Sequence, residues 1–149
     1  MRRLIRFLRR PFFEQRLLAR AAWSVVVARL ATRILPFPAA RSAARRLQPP
    51  AKFVASMPVE RVIWAVDAAS RAIPGMKNCL VQAMAAEAML SRAGHPCELR
   101  IGAAKNEARE FIAHAWLESD GRVLIGEYEA GRYTPMTAPR GADMPSPQR

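Results

Sequence analysis

Apolar residues recur along this chain with two different periods, helical in the first part and alternating in the second. The helical period predicts four helices, over residues 13–35, 39–47, 58–73 and 78–92. After Gly94, a residue typical of a helix end, the alternation predicts three strands, over residues 96–101, 111–118 and 122–128. Asp120-Gly121 separates the last two strands and is typical of a tight hairpin turn.

The second helix is followed by Gln48-Pro49-Pro50, which predicts a boundary. We therefore expect a basic N-terminal helical segment over residues 1–50, packed on a core over residues 51–135. The segment from residue 134 onward is rich in Pro, Ala and Gly and is expected to be loose, with a flexible tail over residues 136–149.

Positive charge is concentrated in the first half of the chain. The chain has 24 Lys and Arg against 12 Asp and Glu, a formal net charge of +12. This excess indicates an acidic partner, which could be nucleic acid, an anionic membrane surface or an acidic protein. Nucleic acid is disfavoured, because the arginines alternate with Leu and Ala and no aromatic series is present for base stacking.

The long first helix is apolar enough to resemble a transmembrane span, but its arginines argue against one. A charge at mid-membrane costs roughly 2.5–3.5 kcal/mol on insertion scales, and this helix carries four, Arg16, Arg20, Arg29 and Arg33. We expect a helix packed in the fold, with peripheral membrane contact or partner docking as alternatives.

The chain has only two cysteines and two histidines, which are too few and too far apart for a zinc finger. The sequence also lacks a phosphate-binding or dinucleotide-binding glycine pattern, so neither a metal nor a cofactor is expected. No clean signal-peptide cleavage site follows the basic N-terminus, which favours a reduced, cytoplasmic setting.

Cys79 at a helix start and His114 on a strand are the candidate catalytic residues. The free N–H groups of a helix N-terminus favour a thiolate, and a strand histidine can take the thiol proton if the fold brings the two together. Each residue alone is more often structural, but their order along the chain favours a nucleophile and its base. Asn78 or Gln82 could help to stabilise an oxyanion, although Asn78 is equally well interpreted as a helix N-cap.

The hairpin register predicts a third member of this group. Counting outward from the turn pairs Trp116 with Ile125 and His114 with Glu127. A carboxylate in that position would accept a hydrogen bond from the imidazole and orient it. The helix that begins at Cys79 is expected to pack across this face of the sheet.

Several segments then carry a family resemblance. They are Asn78-Cys79-Leu80-Val81-Gln82-Ala83, Leu90-Ser91-Arg92-Ala93-Gly94-His95-Pro96, Leu99 to Gly102, and Ala113-His114-Ala115-Trp116-Leu117-Glu118 with the following Gly121 and Val123 to Gly126. Together they resemble the transglutaminase-like cysteine proteases of lasso-peptide biosynthesis, which remove the leader from ribosomally made precursors. The resemblance covers about residues 74–135.

The resemblance implies an α+β, transglutaminase-like or papain-like fold, in which N-terminal helices precede a cysteine-bearing helix packed on a small antiparallel sheet. It implies a cysteine endopeptidase, with Cys79 as nucleophile and His114 as general base. The implied partners are a precursor peptide, a small leader-recognition protein that delivers it, and a separate ATP-using lasso cyclase. The basic N-terminal half is a candidate docking surface for the precursor or its carrier.

The orienting residue departs from the family pattern, which places an aspartate just after the histidine strand. Gly126 stands at about that position, and Glu127 is its neighbour. Asp120 is the other acidic candidate, although a hairpin tip would point away from His114. Two other functions stay open: a transferase, in which an amine replaces water, and a non-enzymatic basic binding module.

Overall fold

Five helices precede a small antiparallel sheet along the described part of the chain. The computed structural model describes residues 10–49, 52–76, 78–105, 110–126 and 134–135. The helices are α1 (Phe12–Ile34), α2 (Phe37–Arg46), α3 (Lys52–Ala55), α4 (Val59–Ala72) and α5 (Cys79–Arg92). The strands are β1 (Glu98–Lys105), β2 (Phe111–Ser119), β3 (Arg122–Ile125) and β4 (Thr134–Pro135), in the order β3-β2-β1-β4. The protein is therefore α+β, as expected.

The helices that the apolar spacing predicts are all present. The boundaries of α1 and α5 agree with the prediction to within one residue, whereas α2 begins two residues early, at Phe37. Pro38 stands at its first turn, where a missing N–H costs nothing. The short helix α3 was not predicted, because four residues are too few to show a helical period.

Helix α5 is the buried centre of the fold, and it packs against α1, α2, α4 and the sheet. Its buried residues are Val81, Ala83, Met84, Ala85, Ala86, Glu87, Ala88, Met89 and Leu90. The many alanines allow neighbouring backbones to approach closely, and nearly every turn of the helix is enclosed. The position and direction of α5 are thus fixed by contacts on several sides.

A buried chain of hydrogen bonds joins α1 and α2 to α5. The Ser24 hydroxyl donates to the Ala85 carbonyl oxygen at 2.9 Å, and the Gln48 amide donates to Ser24 Oγ at 3.0 Å and to the Ala44 carbonyl at 3.1 Å. A buried polar group without such partners would cost about 1–3 kcal/mol. Gln48, which begins the predicted boundary, therefore anchors the end of α2 to the centre of the fold.

A buried ion pair provides a second link between α2 and α5. The Glu87 side chain is only 2% exposed, and its carboxylate accepts hydrogen bonds from Arg41 Nε, at 2.9 Å to Oε2, and from Arg41 Nη2. These hydrogen bonds raise the pKa of the Arg41 guanidinium above its ordinary value. Arg41, one of the arginines of the basic second helix, is consequently half-buried and held against α5.

The sheet differs from its prediction in length and in register. Strand β1 continues to Lys105, beyond the predicted end at residue 101. Thr134 and Pro135 pair with Ala103 and Gly102, so the expectation that the loose tail begins at residue 134 is wrong for these two residues. The predicted tail over residues 136–149 lies outside the described residues. In the described part of the chain, no helix is long and apolar enough to cross a membrane.

Candidate active site

Cys79 is the first residue of α5, directly after an ordered N-cap. The Asn78 side-chain oxygen accepts hydrogen bonds from the backbone N–H groups of Leu80, at 3.0 Å, and Val81, at 3.3 Å. The Gln82 N–H donates to the Asn78 carbonyl oxygen at 2.9 Å. Asn78 therefore acts as the N-cap, and it fixes the first turn in which the thiol sits.

The first turn leaves one main-chain donor beside the thiol. The N–H groups of Leu80, Val81 and Gln82 are bonded to Asn78, and the N–H of Cys79 has no acceptor among the described residues. The thiol is half-buried against the apolar core, and it forms no disulfide. A donor and a nucleophile on the same residue suit an acyl intermediate whose oxygen carries negative charge.

His114 is held on β2 by its neighbours in the sheet. It pairs with Gly102 of β1 and is half-buried. Its ring stacks on Trp116, with the ring centroids 6.2 Å apart and the planes inclined by 17°. Trp116 is 1% exposed, so the histidine rests on a side chain that is itself immobilised by packing.

The alternation of β2 explains the pattern His-Ala-Trp-Leu-Glu. Ala115 and Leu117 belong to the apolar core, together with buried residues of α5. Because strand side chains alternate between faces, His114, Trp116 and Glu118 project from the opposite face. The motif thus combines a core-facing apolar pair with three side chains, His114, Trp116 and Glu118, on the other face of β2.

Trp116 and Glu118 belong to a series of polar contacts that extends to β1. The Trp116 indole N–H donates to Glu118 Oε1 at 2.8 Å, and Glu118 Oε2 accepts from Arg100 Nε at 3.0 Å. Arg100 also lies 3.1 Å from the Glu98 carboxylate. The orientation of the Trp116 ring, on which His114 stacks, is therefore fixed by Glu118.

The chain passes from α5 to the sheet at the C-terminal end of the helix. There Ser91 Oγ lies 3.7 Å from Cys97 Sγ, just before β1 begins. Cys79 is at the opposite end of α5, and His114 lies on β2, opposite Gly102 of β1.

The expected packing of α5 across the face that carries His114 is wrong. The helix packs on the face of Ala115 and Leu117, and His114, opposite Gly102, projects from the other face. The reason is that side chains of β2 alternate between the two faces of the sheet. The apolar Ala115 and Leu117 share one face, and α5 supplies the apolar surface that buries them.

The pairing that placed Glu127 opposite His114 rests on an incorrect register. Ser119 pairs with Arg122 and Glu118 with Val123 as expected, but Leu117, rather than Trp116, pairs with Ile125. The register shifts at the step from Leu117 to Glu118, opposite which β3 carries one extra residue, Leu124. Glu127 itself lies outside the described residues.

Two other positions for the orienting carboxylate can be judged from geometry. Asp120 is six residues from His114, about 20 Å along an extended strand at roughly 3.3 Å per residue, which is too far for a hydrogen bond. At Gly126 an added Cβ would lie 2.7 Å from the Ala115 oxygen and 2.9 Å from Trp116 Cβ, and its φ is +86°. An aspartate at position 126 is therefore excluded by sterics.

Cys97, predicted to be a core residue, is half-buried beside Ser91 and lies outside the candidate site. Burial raises the pKa of its thiol above the ordinary value, which keeps the thiol protonated at neutral pH. No group of metal-ligating side chains occurs among the residues that the structure describes. The roles of Asn78 and Gln82 in binding an oxyanion stay predictions.

The comparisons with known proteins identify a superfamily for this chain. A sequence profile of the transglutaminase-like superfamily matches residues 21–138, a span that includes most of α1 as well as Cys79 and His114. No curated protein and no solved structure gave a significant match. Because the profile covers most of the chain, this protein belongs to the transglutaminase-like superfamily.

Proposed function

We propose that the protein is a cysteine endopeptidase that removes the leader from a ribosomally made lasso-peptide precursor. The observation that carries the proposal is Cys79 at the capped start of α5, followed along the chain by His114 on β2, a strand that contacts α5. Members of this superfamily are generally thiol peptidases or acyltransferases. The resemblance of the segments around both residues to lasso leader peptidases supports the narrower substrate.

The proposed reaction proceeds in two steps through a thioester. Cys79 Sγ attacks the carbonyl carbon of the scissile bond while His114 takes the thiol proton. The oxyanion accepts a hydrogen bond from the Cys79 N–H, and the proton on His114 passes to the leaving amine of the core peptide. His114 then removes a proton from water, which attacks the thioester and releases the leader as a carboxylic acid.

Trp116 and Glu118 act as positioning residues in this proposal. The stacked indole limits rotation of the imidazole, and the hydrogen bond to Glu118 limits rotation of the indole. This arrangement takes over part of the role of an orienting carboxylate. A catalytic contribution of Glu127 stays a separate prediction.

The partners belong to the same proposal. The precursor would be delivered by a small leader-recognition protein and passed to a lasso cyclase, in the cytoplasm where the precursor is made. Arginines of the basic second helix are candidates for docking the precursor or its carrier. Arg41 is committed to Glu87, whereas Arg45 and Arg46 are exposed and available.

Product masses test the proposal directly. The protein would be incubated with a lasso precursor and its leader-recognition protein, beside the Cys79→Ala variant and the matched control Cys97→Ala. We expect cleavage with addition of one water, complete loss in Cys79→Ala and retention in Cys97→Ala. Joining of the leader to an amine, without added water, would indicate a transferase. Cleavage that persists in Cys79→Ala would overturn the proposal.

A further inference from the structure

Large apolar side chains are exposed along one side of the N-terminal helices. Trp23, Leu30 and Ile34 of α1 are 50%, 52% and 76% exposed, and their spacing of seven and four residues places them on one helix face. The Trp23 indole N–H donates to the Leu47 carbonyl at 3.0 Å, which places the exposed Leu47 beside Trp23. We call these four residues the apolar stripe.

The N-terminal segment that carries the apolar stripe has almost only positively charged residues among its charged positions. Residues 1–49 contain twelve arginines and no lysine, and Glu14 is their only acidic residue. Glu14 forms ion pairs with Arg10 and Arg61, so its charge is already compensated. Arg33 and Arg46 are exposed, and neither forms an ion pair within the described part of the chain.

This combination of chemistry fits one class of partner best. A second copy of the chain would bring two strongly positive surfaces together, which is unfavourable. Nucleic acid would use the arginines but leave the aliphatic side chains in water. An anionic bilayer uses both, because arginine binds lipid phosphates while Trp, Leu and Ile enter the interface between headgroups and acyl chains.

We propose that α1 and the end of α2 bind the surface of an anionic lipid bilayer through the apolar stripe and the neighbouring arginines. The contact is peripheral, since no described helix can span a membrane. It goes beyond the proposed peptidase activity and does not depend on it. Its consequence is that the active site would work next to a membrane, with the arginine-rich face toward the lipid.

Vesicle binding tests this proposal without any catalytic readout. The Cys79→Ala protein would be sedimented with phosphatidylglycerol-containing vesicles and with pure phosphatidylcholine vesicles at low salt. We expect binding to the anionic vesicles only, weakened at high salt by screening. The fluorescence of Trp23 should shift to the blue on binding, and Trp23→Phe should remove that shift while Trp64 and Trp116 remain.

Paired variants separate the contributions of charge and apolar contact. Arg33→Gln with Arg46→Gln should weaken binding about thirtyfold, since each arginine near an anionic surface is worth roughly fivefold. Arg71→Gln with Arg92→Gln is the control, because it removes the same charge from exposed arginines on α4 and α5. Leu30→Ser with Ile34→Ser should weaken binding by at least about tenfold.

Several outcomes would overturn the proposal. Absence of sedimentation with anionic vesicles at low salt would do so, as would equal binding to neutral vesicles. Equal loss in the two arginine pairs would show a general charge effect without a defined surface. Binding to an acidic protein or to nucleic acid, with no binding to vesicles, would assign the stripe to a different class of partner. Circular dichroism of each variant would confirm that it is folded.

Discussion

Helices α1 and α5 are both rich in alanine and aliphatic residues, yet they occupy opposite environments. Helix α5 is enclosed by α1, α2, α4 and the sheet, and most of its residues are buried. Helix α1 buries one side only, and its other side exposes Trp23, Leu30 and Ile34. Apolar composition alone therefore does not identify the core, because the burial of a helix also depends on how many elements pack around it.

The same contrast distinguishes α5 and the sheet, which carry the candidate site, from the exposed side of α1. In α5 and the sheet, a change meets fixed neighbours and should cost folding free energy. On the open side of α1, a change meets solvent and should alter binding without altering stability. The substitutions below test this contrast in order of expected effect.

The largest effect is expected for Glu87→Ala. It leaves Arg41 charged and unpaired between α2 and α5, which should lower the unfolding free energy by about 3–5 kcal/mol. The double change Arg41→Leu with Glu87→Leu removes both charges and should recover most of that loss. Chemical denaturation of the wild type and the two variants measures the loss of unfolding free energy, and equal losses in the single and double variants would contradict the expectation.

A smaller loss is expected for Gly126→Ala, with Gly94→Ala as its matched control. Both glycines have positive φ, at +86° and +85°, but only a Cβ at position 126 meets other atoms, the nearest being Ala115 O at 2.7 Å. We expect about 2–4 kcal/mol for Gly126→Ala, against about 1–2 kcal/mol for Gly94→Ala. Thermal unfolding that shows equal effects would contradict the close approach to β2.

Adding volume compares the two helices directly. Ala85→Leu places a larger side chain in the enclosed interior and should cost about 1–3 kcal/mol, whereas Ala19→Leu extends an exposed position of α1. The second change should lie within about 0.5 kcal/mol of the wild type. Denaturant midpoints compare the two variants, and a large loss in Ala19→Leu would show that α1 is more enclosed than described.

The smallest effect on stability is expected for Leu30→Ser. The side chain is half-exposed, so its replacement should change the unfolding free energy by no more than about 0.5 kcal/mol. A vesicle-binding defect in a variant of unchanged stability would separate surface function from folding. A loss of several kcal/mol would mean that Leu30 is a packing residue instead.

Much of the fold could be predicted from the sequence, because long apolar periods and strong turn residues act locally. Helices α1 and α5 and the Asp120-Gly121 hairpin are examples. The register shift after Leu117 could not be predicted, since it depends on packing between strands. The pairing of Arg41 with the buried Glu87 was equally invisible, because the two residues are distant in sequence.

The candidate site shows the same division. Local context makes Cys79 and His114 the catalytic candidates, and these roles stay predictions. The N-cap role of Asn78 was one of two interpretations that the sequence allowed, and the structure confirms it. The stack on Trp116 and its link to Glu118 required the observed alternation of β2. Only coordinates could show that position 126 lacks room for a side chain.

Detection of the thioester intermediate tests the proposed chemistry most directly. The protein would be mixed with a lasso precursor and its leader-recognition protein, quenched in acid and measured as intact protein, followed by peptide mapping. We expect a transient mass increase equal to the leader less one water, located on Cys79, removed by hydroxylamine and strongly reduced in His114→Ala. Efficient precursor cleavage with no adduct on Cys79, and with full activity in Cys79→Ala, would contradict a thiol mechanism.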